Sequence, residues 1–422
     1  MRGENHRIHR RRLLLAAGCG VAAPSLIAAG AWGGAEQRPP SERVVAGLIG
    51  CGGRGMGLLS IHSDPRCTVA ALCDVDRNRL AAAKKRVGDA ATYGDFRRVL
   101  DRQDIDAVLI ATPDHWHAPI MVLACQAGKD VYCEKPLART IGEGRRMIQV
   151  ARRYNRVVQV GSQYRSIART RQACQWVRNG RLGTVHTVRL THPPNRTHPC
   201  EPPQPVPPEL DWDLWLGPAP RAAYHPLRCH FTFRWFMDYG GGSLADNGIH
   251  MFNVVSWAMG ADQTGPAAIE ATGRQEPNNL FDAPVELTVH YTFTDPPFEL
   301  IWQQREGARL NVEFIGAAAT LSGFWGFKIT RGEADLGPPG TGEVLLERSD
   351  SHPGNWLESI FSRRRPVMDV EIGHRVTTWS HLGNIAYQLG RKLHWDPAEE
   401  QFVGDDQANR MLDVAYRQPW RL

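Results

Sequence analysis

The sequence predicts an α/β protein in which a doubly wound parallel-sheet domain precedes an α+β domain of mostly antiparallel strands. Three observations carry this. Between Val44 and about Gly161, short β-branched apolar runs alternate with helix-patterned runs, the texture of a parallel sheet covered on both faces. The first apolar run leads straight into Gly50-Cys51-Gly52-Gly53-Arg54-Gly55. After Gly161 the pattern changes, and later runs alternate with period two. The 422 residues suit two domains, and 42% apolar with 22% charged residues is ordinary for a globular chain.

The elements follow in order. Residues 1–35 read as a targeting segment: Arg10-Arg11-Arg12-Leu13-Leu14 is a twin-arginine pattern, an Ala/Gly/Leu-rich stretch follows, and Ala29 and Ala31 offer a cleavage site. Gly18, Gly20 and Pro24 make that stretch a poor membrane anchor, so no integral membrane segment is expected in the mature chain. The predicted location is extracytoplasmic, by an export route that carries folded proteins. Residues 42–165 form the expected nucleotide-binding domain, with strands at 44–49, 68–72, 106–111, 130–133 and 157–160. Helices are expected at 77–87 and 117–127, each ended by a glycine. Residues 166–422 form the expected substrate-binding and oligomerisation domain. It holds a helix at 167–179, a strand at 184–191, alternating strands at 285–293, 298–303 and 309–314, and a helix at 371–391. The proline-rich stretch 193–220 reads as a surface excursion within that domain.

Charge and cysteine usage exclude several classes. Five arginines against one glutamate in residues 1–35 supply four of the six net positive charges, leaving too little for a nucleic-acid footprint. Nine cysteines lack any C-x-x-C spacing, so zinc-ribbon and redox motifs fail. Cys200 and Cys229 flank a loop-like region and are the candidates for a disulfide.

The glycine run has G-x-G-x-x-G spacing after a strand and before a helix. Gly50 allows the tight turn, Gly52 lets the backbone approach a pyrophosphate, and Gly55 lets helix and strand pack closely, with Gly53 and Arg54 beside the phosphates. Asp74 ends the next strand, where a carboxylate takes both ribose hydroxyls and favours NAD over NADP. Arg54 and Arg77 keep NADP open, and Asp74 or Asp76 is alternatively a helix cap.

Further polar groups stand at strand ends, where such sheets bind ligands: Thr112-Pro113-Asp114-His115-Trp116-His117 and Glu134-Lys135-Pro136. Lys135 is one of only six lysines in a chain with 50 basic residues, which suggests that arginine will not serve there. In Gly240-Gly241-Gly242-Ser243-Leu244-Ala245-Asp246-Asn247-Gly248-Ile249-His250, Asp246 and His250 stand four apart and would share one helix face. A carboxylate one turn before an imidazole orients a base for a hydroxyl proton. Ser243 with Asp246 is alternatively a capping box, and a metal reading lacks a third ligand. Arg165, Arg234, Trp235 and Tyr239 are candidate substrate contacts, the aromatic ones equally well core residues.

The combination of the glycine run, Asp74, Thr112-Pro113 with His117, Glu134-Lys135-Pro136 and Asp246 with His250 resembles the Gfo/Idh/MocA oxidoreductase family over nearly all of the chain after residue 35. The resemblance implies a Rossmann domain with a large open-faced, mostly antiparallel sheet domain, and a homo-oligomer. It implies that Lys135 polarises the substrate oxygen, that His250 is the base and that Asp246 contacts substrate or His250. It also places Gln163 near the nicotinamide and makes the Lys135–Pro136 peptide cis. Asp114 departs from the asparagine common after Thr-Pro in the family, and 193–220 matches no shared motif. The implied activity is hydride transfer between NAD(P) and a CH–OH carbon of a sugar, glycoside or polyol, and the folded export route adds the expectation that the cofactor is retained. The alternative is a redox-neutral glycoside hydrolase, lyase or epimerase acting by transient oxidation, although Glu134-Lys135-Pro136 is closer to the dehydrogenase branch. A sensor without turnover fits the Lys135, Asp246 and His250 set least.

Overall fold

A computed structural model of the protein describes residues 43–422, so the expected export signal lies outside the described residues. The first sheet contains β1 (Val44–Ile49), β2 (Cys67–Cys73), β3 (Ala91–Tyr93), β4 (Ala107–Ile110), β5 (Asp130–Glu134) and β6 (Val158–Gly161). All its pairings are parallel, in the order β3-β2-β1-β4-β5-β6. The chain therefore reverses its direction of winding between β1 and β4, which opens a crevice beyond their carboxyl ends. The central strands are apolar throughout because helices cover both faces; β4 is Ala-Val-Leu-Ile, wholly buried. The short β3 was not expected, since Ala91-Thr92-Tyr93 is half-exposed at the sheet edge and carries no apolar run.

The second sheet has nine strands: β7 (Val185–His192), β8 (Ala268–Arg274), β9 (Glu286–Thr294), β10 (Pro297–Gln304), β11 (Asn311–Gly316), β12 (Ala319–Gly323), β13 (Phe327–Gly332), β14 (Leu393–Asp396) and β15 (Gln401–Phe402). Their order is β13-β12-β11-β7-β10-β9-β8-β14-β15. Only β7 and β10 pair in parallel. In β10 the buried Phe298, Leu300, Trp302 and Gln304 alternate with more exposed neighbours, so one face is packed and the other open. Helices Gly248–Met259 and Val370–Leu389 cover the packed face, where Phe252 meets Tyr291 and Trp379 meets Phe293, both edge-on.

Helix Val370–Leu389 also braces the first sheet. Leu137 N–H donates to Thr377 Oγ1 (3.2 Å), and the His381 ring nitrogen Nε2 lies 2.9 Å from the Ala138 carbonyl. The chain just after Lys135 is thereby fixed from the second domain. The excursion 193–220 does not stay within that domain. Leu210 bridges Asp76, Arg77 N–H donates to the Glu209 carbonyl, and the Trp215 carbonyl lies 3.0 Å from His115 Nε2 and accepts from Trp116 Nε1 at 3.0 Å. Buried Leu210, Trp215 and Leu216 anchor this clasp across the loops that follow β2 and β4. Cys200 and Cys229 are both unpaired, the first exposed and the second buried.

Candidate active site

The carboxyl ends of β1, β2, β4 and β5 open on a cleft of about 710 Å³ whose other wall comes from residues 214–250. Gly50, Gly52, Gly53 and Arg54 line it, with Asp74, Thr112, Pro113, Asp114, Glu134, Lys135, Gln163, Arg234, Asp246 and His250. The glycine run is built for close approach. Gly50 has φ +93°, and a Cβ there would lie 2.6 Å from the Ala111 carbonyl oxygen. A Cβ on Gly55 would collide with the Gly50 carbonyl, so this glycine serves packing and does not line the cleft.

Asp74 braces the loop: its carboxylate accepts from Cys51 N–H (2.6 Å) and Asp76 N–H (2.9 Å), and each oxygen keeps a lone pair for a hydroxyl. The helix cap is Asp76, which accepts from Asn78 and Arg79 N–H. Arg54 donates to buried Glu134 (2.6 Å), tying the glycine run to the end of β5. Together these residues suit a dinucleotide. The glycines leave room for a pyrophosphate, Arg54 and Arg79 supply positive charge beside it, and Asp74 faces the ribose position.

Lys135, after β5, meets Asp246. Its ammonium donates to Asp246 Oδ1 (2.5 Å) and to the Asp246 carbonyl (2.9 Å), which leaves one of three N–H groups for a ligand. The Lys135–Pro136 peptide is cis. Arg234 Nε lies 3.1 Å from the other Asp246 oxygen. Burial alone would raise the Asp246 carboxyl, but Lys135 and then Arg234 outweigh it and hold the group well below the usual carboxylate range.

Asp246 and His250 do not share one uninterrupted helix. Gly242–Asp246 ends at Asn247, and a second helix, Gly248–Met259, begins there. Gly248 stands at the break, yet both side chains still reach the cleft. The capping-box alternative fails, because Ser243 Oγ donates to Asn195 Oδ1 (2.6 Å). Among the described residues no histidine, cysteine and carboxylate cluster could hold a metal.

Burial, reinforced by the Lys135 charge, pushes the His250 imidazole down to about 3, so the ring is neutral near pH 7. Its Nδ1 lies 3.1 Å from Ser162 Oγ. Asn253 Nδ2 donates to that same oxygen at 3.1 Å, and Asn253 Oδ1 accepts from Arg165 Nε at 2.6 Å. Arg165 closes the chain on Asp262 (2.5 Å). This row of buried groups fixes the ring and leaves Nε2 toward the cleft. Sequence reasoning missed Ser162 and Asn253. The available signals were Ser162 beside Gln163, and Asn253 alone among apolar neighbours on its helix.

Four expected ligand contacts are instead internal. Arg165 is 3% exposed and saturated by Asp262, Asn253 and Ser256. Trp235 is buried and donates to Asn195 Oδ1. Tyr239 is fully buried against Trp215 and His115. His117 lies between the Pro136 carbonyl (2.7 Å) and the Thr112 carbonyl (3.0 Å), stapling two strand ends beneath the cleft. Each carries a polar atom that suits a ligand, but a partner already within the fold takes it or packing seals it.

Asp114 was noted only as a departure from asparagine. It is buried at the cleft wall, and burial raises its carboxyl to about 8, against the opposing pull of Lys135.

Comparison with known proteins agrees with this architecture. Residues 44–162 match the NAD-binding Rossmann-fold model of the Gfo/Idh/MocA oxidoreductases, and residues 197–422 match the C-terminal alpha/beta-domain model of the same family. The chain belongs to this family of NAD-binding oxidoreductases. It is 38% identical to levoglucosan dehydrogenase of Pseudarthrobacter phenanthrenivorans over 112 residues, which are 26% of this chain and 29% of the relative. It is 40% identical to glycosyl hydrolase family 109 protein 2 of Shewanella sp. ANA-3 over 117 residues, 25% of each chain. The matched regions cover at most 56% of the first three curated relatives. The fold resembles the WlbA dehydrogenase of Bordetella pertussis, solved with NADH and UDP-GlcNAcA, at a TM-score of 0.64 and 18% identity, covering 84% of this chain and 99% of that one.

Proposed function

We propose that this protein is an exported oxidoreductase that transfers a hydride between a retained NAD and a CH–OH carbon of a sugar, glycoside or polyol. The observation that carries the reading is the convergence of Lys135, Asp246 and His250 on one cleft with the glycine run and Asp74. Bound there, NAD supplies the hydride acceptor. The free N–H of Lys135 orients and polarises the substrate oxygen. Asp246 holds Lys135 in place through two hydrogen bonds, and His250, neutral with Nε2 toward the cleft, takes the hydroxyl proton. Gln163 borders the nicotinamide end. The carboxylate of Asp74 favours NAD, because it would repel a 2′-phosphate.

Retention is supported by the clasp of residues 207–216 across the β2 and β4 loops, and by the twin-arginine pattern, which permits export with cofactor already bound. Free nicotinamide cofactor is scarce outside the cytoplasm, so the cofactor must be reset in place. The open face of the nine-stranded sheet, lined in part by Arg189, Gln303 and Glu313, offers the surface for a homo-oligomer.

A second reading keeps the same residues: transient oxidation of a glycoside, elimination or epimerisation, and return of the hydride. The similarity to a glycosyl hydrolase family 109 protein favours it. Both readings retain the cofactor, and enzyme loaded with isotopically labelled NAD and supplied with sugars tests that retention. Product with the label still bound is expected. Product forming only in step with label release and replacement would make it an ordinary dehydrogenase.

A further inference from the structure

The excursion that matched no shared motif begins by placing one arginine beside the catalytic cleft. Its base is held by Asn195, a buried residue whose backbone N–H and side-chain amide are both engaged. Asn195 N–H donates to the Val285 carbonyl (2.9 Å) and Nδ2 donates to the Pro284 carbonyl (2.8 Å). Its Oδ1 accepts from Trp235 Nε1 (3.1 Å), Ser243 N–H (3.0 Å) and Ser243 Oγ (2.6 Å). Ser243 lies on the short helix that ends at Asp246, so Asn195 sets the position of the next residue against the catalytic segment.

That residue, Arg196, is exposed, and among the described residues no carboxylate lies within ion-pair distance of it. Its guanidinium carbon is 5.7 Å from the Phe231 ring centre and 5.1 Å from that of Trp235. Phe231 lines the cleft and is 61% exposed, so its ring is open to a ligand there. The Arg234 guanidinium stacks on it at 4.1 Å, and Arg234 in turn pairs with Asp246. Phe231 is therefore linked to Asp246 through Arg234 alone and lines the same cleft. Charge favours an anion here. Lys135 and Arg234 share the single carboxylate of Asp246, Asp114 is protonated at neutral pH, and Arg196 adds an unpaired cation. Of the carboxylates on adjoining loops, Asp76 is within ion-pair distance of Arg79 and His230, and Glu201 of His225 and His198.

We infer that Phe231 and Arg196 form a second subsite for a carboxylate-bearing sugar ring attached to the ring that reacts at Lys135 and His250. The apolar face of that ring stacks on Phe231 and its carboxylate pairs with Arg196. This rests on the reading of the cleft given above. It narrows the substrate class to glycosides carrying a uronate.

The test uses NAD-loaded protein and matched disaccharide pairs built on glucose, galactose and mannose. Each pair has one neutral member and one whose second ring is a uronate, and binding is followed by calorimetry. At least one pair should show tenfold or greater preference for the uronate. Arg196→Ala should bring that preference within twofold, Arg196→Lys should retain part of it, and Phe231→Ala should weaken both members. Circular dichroism and retained NAD report folding of each variant. Equal binding within every pair, absence of binding by all pairs, or a preference that survives Arg196→Ala overturns the subsite. Failure of the oxidoreductase reading looks different: the purified protein would carry no NAD, or its NAD would show no absorbance change near 340 nm with any sugar.

Discussion

Two largely buried ion pairs lie near His250, and they differ most in what remains unsatisfied. Lys135 meets Asp246 at 2.5 Å, and Arg165 meets Asp262 at 2.5 Å. Around Arg165, Asn253 and Ser256 complete the hydrogen bonding and 3% of the residue is exposed, so nothing is left for a ligand. Lys135 keeps one N–H directed at a cleft that also receives His250, Asp114 and the glycine run. Burial and charge alone do not mark a reactive group. An open valence facing an accessible cavity does.

The sharpest way to break this comparison is to remove each cation. Lys135→Ala is expected to lower kcat/KM on the order of 10³-fold while leaving the thermal midpoint close to wild type, because the freed Asp246 still has Arg234. Lys135→Arg should recover little, since a planar fork cannot replace a compact ammonium. Arg165→Ala is expected to act on stability: stranding the buried Asp262 carboxylate costs roughly 3–5 kcal/mol in a denaturant titration. If Arg165→Ala instead raised KM with unchanged stability, Arg165 would be a substrate contact after all.

The relay between the two pairs sharpens the comparison. Ser162→Ala removes the hydrogen-bond partner of His250 Nδ1, worth about 1 kcal/mol or roughly 5-fold in kcat. KM should hold, and the acidic limb of the kcat–pH profile should move, because the imidazolium loses a partner. A purely structural serine would shift neither the limb nor kcat at constant KM.

The smallest effect on activity at neutral pH is expected at Asp114. Its carboxyl, near 3.8 when unfolded, is raised to about 8 in the fold, first by burial. A raised carboxyl contributes stability that is complete below the unfolded value and is lost as pH rises through the folded one. The wild-type protein should therefore lose thermal stability relative to Asp114→Asn between pH 3.8 and about 8. Above that, wild-type activity should change as a new negative charge appears beside Lys135, and the asparagine variant should be flat. Parallel stability profiles would contradict a protonated Asp114.

Much of this was legible in the sequence for one physical reason. In a parallel sheet the ligand groups must stand at strand ends, so Gly50, Asp74, Thr112, Glu134 and Lys135 announce themselves by following apolar runs. Asp246 and His250 were readable from spacing, although the glycines split their helix. The failures share another cause. Arg165, Trp235 and Tyr239 sit close to true cleft residues in sequence, but whether a polar atom faces a cavity or a partner depends on elements far along the chain; His117 is instead taken by the nearby Thr112 and Pro136 carbonyls. Asp262 silences Arg165 from 97 residues away, and Asn195 silences Trp235 from 40. The same distance effect hid Ser162, Asn253 and Arg196, whose importance exists only through the residues packed against them. The proline-rich excursion was misplaced because no periodicity says that Leu210 and Trp215 reach the first domain at Asp76, His115 and Trp116.

The account turns on a cofactor held in the cleft between the glycine run and the clasp. The most direct measurement is mass analysis of the nucleotide released when the exported, purified protein is denatured without added cofactor. The account predicts NAD at close to one per chain, with oxidised and reduced forms interconverting when sugars are added before denaturation. A nucleotide-free protein, or NADP in place of NAD, would contradict it.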